Sequence, residues 1–514
     1  MSSKIWTATA IHCLFGVWSN SQNSALNPIS DYVKEFLNTS IATNYQTDVS
    51  EKGLSFAWAL VASAYLWGGT AGSCTFGLLA DRLGRKATLT IVSGSVGILG
   101  CLVQYTGVLT GLPELLLLGR FLVGWTGGIN TLLSVFLSEC SPEKPLAMVS
   151  ASVITAIATG NFLACTLSLP VFLGTATLWP FCLLALCFAE SNCVAEVPVA
   201  FHLVHMGFSF YLKELPKHLY ITNGQEKQAK EAFFFYHGGE ADWEKQKALY
   251  DLEKKLGKER RHASLTEIMK TRHLRWPFWI CVVAGLGVTM GGIDITSFYS
   301  TELIESLGVN QTTAVLITVF GVVLSAAVVC AVFNFSPMMD KLGRRASYLM
   351  GVALGVLAAS LLVLAGQVPA PLQPYLGTVG VCLAQSSCLI GPYQVIGVLP
   401  AEIAPQASRA WTVAITFGVC WCSSILVGVA YPPLEALISS FAALPLVVGG
   451  VLAFAFLFYT LPETKGKSVS VIIQRWVAGG EASERFTDEG KRNDAVQCDT
   501  TRGEDEKSEA TMRF

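Results

Sequence analysis

The chain has 514 residues, 52% of them apolar and only 14% charged, against roughly 25% charged in an average soluble protein. Of its charged residues, 24 fall in positions 213–275 and 20 in 461–514, which leaves 28 for the other 397 positions. That distribution excludes an ordinary soluble enzyme, and a net charge of −2 without a basic stripe excludes a nucleic-acid surface.

Outside the two charged segments the chain is a series of apolar stretches, each long enough to cross a hydrocarbon core of ~30 Å as a helix. Spans are predicted at 5–27, 56–79, 88–109, 112–137, 147–172 and 178–211, then at 276–299, 313–336, 347–367, 375–400, 411–432 and 438–460. The first follows Lys4 with no convincing cleavage site, so it reads as a span and not as a removable signal. The expected fold is an all-α membrane protein with twelve transmembrane helices in two pseudo-symmetric halves. Its parts are 1–212, a cytoplasmic helical linker at 213–275, a second six-helix half at 276–460, and a tail at 461–514 that is disordered beyond about 478. The linker periodicity around Glu226 to Tyr236 and Trp243 to Leu256 predicts short amphipathic helices beneath the halves.

Most of the fifteen cysteines lie in apolar stretches and read as small hydrophobes. No Cys-x-x-Cys pair has a histidine partner at zinc spacing, so neither a metal nor another cofactor is expected.

Basic residues mark one face of the membrane. Arg82, Arg85 and Lys86 follow span two, Lys341, Arg344 and Arg345 follow span eight, and the linker holds 14 basic against 10 acidic residues. The positive-inside rule makes this face cytoplasmic, with both termini on it. Two N-glycosylation patterns, at Asn38 and Asn310, fall on the opposite face.

The halves repeat each other. Gly77-Leu-Leu-Ala-Asp81-Arg82-Leu-Gly84-Arg85-Lys86 recurs as Asp340-Lys341-Leu342-Gly343-Arg344-Arg345, and Glu139-Cys-Ser-Pro142 recurs as Glu402-Ile-Ala-Pro405. The separations, 259 for the glycine and 263 for the glutamate, are nearly constant. Two such halves place a substrate site at the midplane between them and move by rocking.

With Gly119-Arg120-Phe-Leu-Val-Gly124 in span four and Leu461-Pro462-Glu463-Thr464-Lys465-Gly466 after span twelve, these motifs resemble the sugar porters of the major facilitator superfamily. Within that superfamily the chain is similar to the animal facilitative glucose transporters, solute carrier family 2. Glu214-Leu-Pro216-Lys217 and Gly391-Pro392 extend the match. The resemblance implies a cytoplasmic gate built from Gly77, Asp81, Arg82, Gly84, Arg85, Arg120, Glu139, Asp340, Gly343, Arg344, Arg345, Glu402 and Arg409. Its ion pairs would clamp that side while the cavity faces outward. Exposed pairs contribute roughly 0–1 kcal/mol each, so several are needed. Two departures touch the gate: the usual arginine beyond Pro142 is Leu146, and Leu215 and Lys217 replace a serine and an arginine.

The cavity departs further. Where the family reads Gln-Gln-x-Ser-Gly-Ile-Asn in span seven, this chain has Val288-Thr289-Met290-Gly291-Gly292-Ile293-Asp294. Ile154, Val328, Gly397 and Cys420 stand where other sugar-contacting side chains are usual, although Trp421 is kept. The candidate substrate-binding residues are Thr289, Asp294, Ser297, Gly397, Trp421 and Ser424, with Asn20, Gln22, Asn23, Asn130, Asn161, Thr296, Gln385 and Ser386 as further polar groups. Helix packing competes with substrate contact at each of these.

Asp294 stands out because an acid in mid-membrane costs at least ~2.5–3.5 kcal/mol. Three readings are open: an acceptor for a sugar or polyol, a proton- or cation-coupling acid, and a solvated neutral replacement. The stretch Trp18 to Asn27 lacks an acid, which favours facilitated diffusion over symport. Residues 189–200, with Glu190 and Glu196, read as an extra loop or re-entrant turn, or as a splicing extension.

The leading expectation is a plasma-membrane facilitative transporter of a hexose or related small polar solute, and no enzyme. Its partners are the solute and the bilayer, with no obligate protein partner implied. An ion-coupled carrier built on Asp294 and a non-transporting sensor are the alternatives.

Overall fold

The computed structural model describes residues 3–128, 132–133, 136–137, 140, 146–184, 197–208, 210–239, 241–259, 264–330, 342–465 and 472. Every predicted span is met by helix. The first half supplies Ser3–Ser24, Glu51–Leu83, Arg85–Thr110, Pro113–Gly128, Leu146–Leu167, and the pair Trp179–Leu184 and Val197–Phe208. In the second half the helices are Arg272–Thr289 with Ile293–Ser306, Gln311–Cys330, Arg344–Ala365, Gln373–Ile390 with Pro392–Ile403, Gln406–Ile438 and Leu444–Thr460. Among the described residues, five helical stretches are long and apolar enough to cross a membrane by themselves.

Spans two and four pack with almost no side chain between them. A Cβ at Gly68 or Gly72 would collide with the backbone of Phe121 or Trp125, and one at Gly124 with the backbone of Tyr65. Small residues at such seams let helices approach where lipid removes the usual hydrophobic driving force.

The cores differ at the two ends of the bundle. At the end away from the linker, one apolar cluster runs across both halves. It holds Leu26, Ile29 and Val33 with Trp58 and Tyr65, and joins them to Ile295, Phe298, Tyr299, Ile425 and Tyr431. Toward the linker the clusters formed by the described residues are separate. One gathers Ile5, Leu132 and Phe136 of the first half with Leu215 and Tyr236 of the linker, and the other gathers Ile280, Tyr348, Val395, Ile403 and Leu461 in and just after the second half. The halves therefore share a core at the far end and have cores of their own at the linker end.

The linker contains Glu226–His237 and Trp243–Glu259, packed through Leu219, Tyr220, Phe233, Trp243 and Tyr250, and Leu265–Lys270, whose Ile268 packs on Leu274, Phe278 and Val282. Residues 189–196 lie outside the described residues, but 197–200 begin the helix Val197–Phe208, so the loop expected there does not extend that far. The tail beyond 478 also lies outside them.

Candidate functional site

Two spans break part-way along their length, and span one turns at its far end. Span one ends at Ser24, and a 3-10 turn, Asn27–Ile29, leads into a separate helix, Ser30–Tyr45. Span seven stops at Thr289 and resumes at Ile293, across a turn in which Gly292 has φ +80°. Span ten stops at Ile390 and resumes at Pro392, where proline supplies no N–H and suits a helix start. Broken helices free backbone groups, which are tolerated at this depth only in protein or against a water-filled cavity.

Asp294 sits in the first turn of the resumed span-seven helix, where the helix dipole favours a carboxylate. It is 7% exposed, and its Oδ2 accepts the Ser424 hydroxyl at 2.9 Å. One rung toward the linker, the Thr289 and Ser423 hydroxyls pair at 2.7 Å. These two polar rungs join spans seven and eleven, one of them through an ionisable group, and nearer the far end the Tyr299 hydroxyl donates to the Gly428 carbonyl at 2.6 Å.

Open space adjoins the rung at Asp294. Tyr393 is 43% exposed and lies within electrostatic reach of both Asp294 and Tyr65, which belongs to the opposite half. On the same helix as Tyr393, a Cβ at Gly397 would meet nothing within 4 Å, and the same holds at Gly418 of span eleven. The Trp421 ring reaches across to span two, where a Cβ at Gly69 would strike it. Gln385 is buried with its Oε1 unpaired. The arrangement offers hydrogen-bond acceptors, hydroxyls and an aromatic wall, which suits noncovalent capture of a polar solute.

The predicted cavity residues separate on this geometry. Asp294, Ser424, Gly397 and Trp421 gather at the seam between the halves. Thr289 is fully buried against Ser423, and Ser297 is half-buried with its carbonyl turned to Asn27. Gln22 is buried and accepts from Gln104 at 3.3 Å, while Asn161 is half-buried with its Oδ1 unpaired. Asn130 and the side chains of Asn20 and Asn23 lie outside the described residues. Sequence reasoning missed Tyr393, which the Gly391-Pro392 break places one turn before Gly397. Asn27 was also missed: its Nδ2 donates to Ser300 Oγ at 2.7 Å and to the Ser297 carbonyl at 3.0 Å, tying span one to span seven at the far end.

At the linker end the repeated motif builds one structure twice. Gly84 has φ +90° and Gly343 φ +89°, and each precedes a helix start. Glu214 Oε1 accepts the backbone N–H groups of Arg85 and Lys86, both at 3.1 Å. In the other half the Glu463 carboxylate accepts those of Arg344, at 2.9 Å, and Arg345, at 3.2 Å. Arg344 Nε also reaches Glu402 Oε1 at 3.3 Å, and the Thr464 hydroxyl donates to Glu402. Arg409 Nη2 donates to the Ala404 carbonyl at 3.4 Å. These contacts tie the start of the linker to the first half and join elements within the second.

Arg120, grouped by sequence with the cytoplasmic motifs, is placed elsewhere. Its guanidinium is fully buried, donates through Nη1 to the Gln22 carbonyl at 2.5 Å and lies over the Tyr65 ring. It braces the end of span one. Gly77 and Asp81 lie in the helix Glu51–Leu83, Arg82 is exposed near its end, and the Asp81 side chain, Glu139 and Asp340 fall outside the described residues. Asn38 is exposed on the helix Ser30–Tyr45, and Asn310 is exposed and accepts the Thr313 N–H at 2.9 Å.

Comparisons with known proteins agree with this architecture. A family model described as "Sugar (and other) transporter" matches residues 6–476. Solute carrier family 2, facilitated glucose transporter member 7 of Mus musculus is 28% identical over 467 residues, covering 90% of this chain and 88% of that protein. Member 9 of Homo sapiens is 26% identical over 481 residues, covering 92% and 84%. Among solved structures, a double-tryptophan mutant of XylE superposes with a TM-score of 0.74 at 19% identity, covering 92% of this chain and 99% of that one. An inward-open form of the xylose transporter XylE from E. coli gives 0.68 at 17% identity, covering 92% and 100%. These structures show the fold, that of the major facilitator superfamily with twelve spans.

Proposed function

The chain belongs to the sugar (and other) transporter family, and on that premise we propose that it carries a hexose or a related small polar solute by facilitated diffusion, through alternating access. The observation behind this reading is the contrast between the two ends of the bundle. A core shared at the far end, separate cores at the linker end, and a polar pocket at the midplane form one of the two states that a rocking carrier needs. The far end faces outward in this reading, because it bears Asn38 and Asn310, while the basic linker and both termini are cytoplasmic. The plasma membrane is the proposed location.

The site residues we propose are Asp294, Ser424, Tyr393 and Trp421. Asp294 accepts solute hydroxyls through the carboxylate oxygen that Ser424 does not occupy. Carrier-mediated uptake of labelled hexoses and polyols into vesicles containing the purified protein tests the claim. Absence of saturable flux for any of them would remove the substrate class and leave the fold in place.

A second reading has one observation in its favour: Asp294 is a membrane-depth acid whose nearest described polar partner is a neutral hydroxyl. It makes the protein a proton- or ion-coupled carrier. Flux that ignores a pH gradient and survives in Asp294→Asn would exclude it.

A further inference from the structure

Beyond the far end of span one, the helix Ser30–Tyr45 carries Lys34, whose ammonium lies 3.0 Å from Glu302 Oε2 in the opposite half. The same ammonium stands 5.9 Å from the centre of the buried Trp58 ring of span two. Three more carboxylates lie within electrostatic reach of this pair. Glu305 follows Glu302 by nearly one turn, Glu435 approaches from the end of the span-eleven helix, and Asp31 precedes Lys34 by one turn. Asp31 Oδ2 accepts Gln311 Nε2 of span eight at 2.5 Å, and Tyr299 stacks on Tyr431 with ring centres 5.7 Å apart. On span two, Trp58 faces the pair, while Glu51 and Lys52 are exposed in the first turn of that helix. One ammonium therefore stands among four carboxylates.

Asp31 and Lys34 belong to one half, and Glu302, Glu305 and Glu435 to the other, so this cluster assembles only when the far end is closed. Glu302, Glu305 and Glu435 lie past the predicted ends of spans seven and eleven. In the closed arrangement burial raises the proton affinity of all three carboxyls. Neighbouring carboxylates add to this, and Lys34 opposes it. A closed state with raised carboxyl affinity binds more protons than an open one, so acid stabilises closure, and this contribution is lost as pH rises through the closed-state values.

We propose that Lys34, Glu302, Glu305 and Glu435 form an acid-strengthened latch, so that protons outside the membrane hold the far end shut and slow reopening of the cavity toward that side. The proposal rests on the alternating-access reading. It differs from proton coupling, because each proton is taken from and returned to the same side and none crosses with the solute.

The test reads conformation without solute. Ser63 is 1% exposed and faces Gly428 across the seam, so a thiol there reacts with a membrane-impermeant maleimide only when the far end opens. Full-length Ser63→Cys in right-side-out vesicles is compared with the same chain carrying Glu302→Gln and Glu435→Gln, and the unmodified chain supplies the background from native cysteines. Taking the ratio of rates between the two cancels the pH dependence of the thiolate. On going from about pH 7.5 to about pH 5.5, the chain with native carboxylates is expected to slow about threefold more than the neutralised one, the effect of half a unit in one carboxyl. Equal slowing overturns the latch. Glu435→Gln alone, checked for an unchanged thermal midpoint, serves if the double replacement misfolds, and is expected to give a smaller difference of the same sign. Loss of the pH response beside intact hexose flux removes the latch only. A pH response without any flux removes the proposed substrate class only.

Discussion

A single carboxylate sets the chemistry of the midplane, and its surroundings indicate what its replacement would do. Asp294 is 7% exposed and holds one hydrogen bond from Ser424, a contact of the kind worth about 1.5–3 kcal/mol where the acceptor is an ionised carboxylate. In Ser424→Ala the carboxyl group stays in place and loses that donor, so solute half-saturation is expected to rise several-fold, roughly the effect of 1 kcal/mol. In Asp294→Ala both the acceptor and the rung between spans seven and eleven are gone, and the loss should be larger, about tenfold or more. Thr289→Val is the control, since its hydroxyl is committed to Ser423: thermal stability should fall while half-saturation stays within about twofold. Uptake kinetics alongside thermal unfolding of the three variants would decide, and a Thr289→Val effect on half-saturation equal to that of Ser424→Ala would place Thr289 back in the pocket.

At the scale of elements, the repeated glycine turns explain why two distant acids matter. Gly84 and Gly343 occupy a backbone region that costs an L side chain strain, and a Cβ at either would collide with the Glu214 or Glu463 carboxylate. Each acid completes the turn by accepting two otherwise unpaired helix N–H groups. Gly343→Ala and Glu463→Gln should both lower the thermal midpoint, the glycine change by more, with losses on the order of 1–3 kcal/mol. Because they act on one turn, the double variant should lose less than the sum, which a double-mutant cycle measures. The motif repeat was legible in the sequence because its spacing is regular. The carboxylates that cap it were less so: Glu214 lies 128 residues from Lys86 and Glu463 lies 119 from Arg344, and their sequence neighbours say nothing of where a backbone N–H will stand. For the same reason Arg120 could be seen as part of a motif but not as a brace on the Gln22 carbonyl, a contact 98 residues away. Periodicity and composition carry the spans. Breaks such as that at Gly292 and pairings across the seam depend on packing that no local pattern encodes.

For the molecule as a whole, the decisive feature is that, among the described residues, the two halves share a core at the far end and have separate cores at the other. The seam at the far end is narrow enough to bridge covalently. An ideal Cβ at Gly428 would stand 3.9 Å from the Cβ of Ser63 on span two, inside the Cβ–Cβ range of roughly 3.5–4.5 Å for a disulfide. At Gly428 the added atom meets only ordinary van der Waals contacts, and serine to cysteine at 63 is nearly isosteric, so Ser63→Cys/Gly428→Cys should fold. If the halves must part at this end in every cycle, oxidation of that pair should stop saturable flux, and a reductant should restore it. Each single cysteine should transport in both redox states, which controls for the native thiols. A crosslinked protein that still carries solute at its normal rate would show that the far end need not open, and the rocking of two halves about a central site would fail with it. Binding supplies the complementary measurement. The crosslink should leave the pocket reachable from the linker side, so solute added there should still raise the thermal midpoint, whereas solute confined to the far side of sealed vesicles should not.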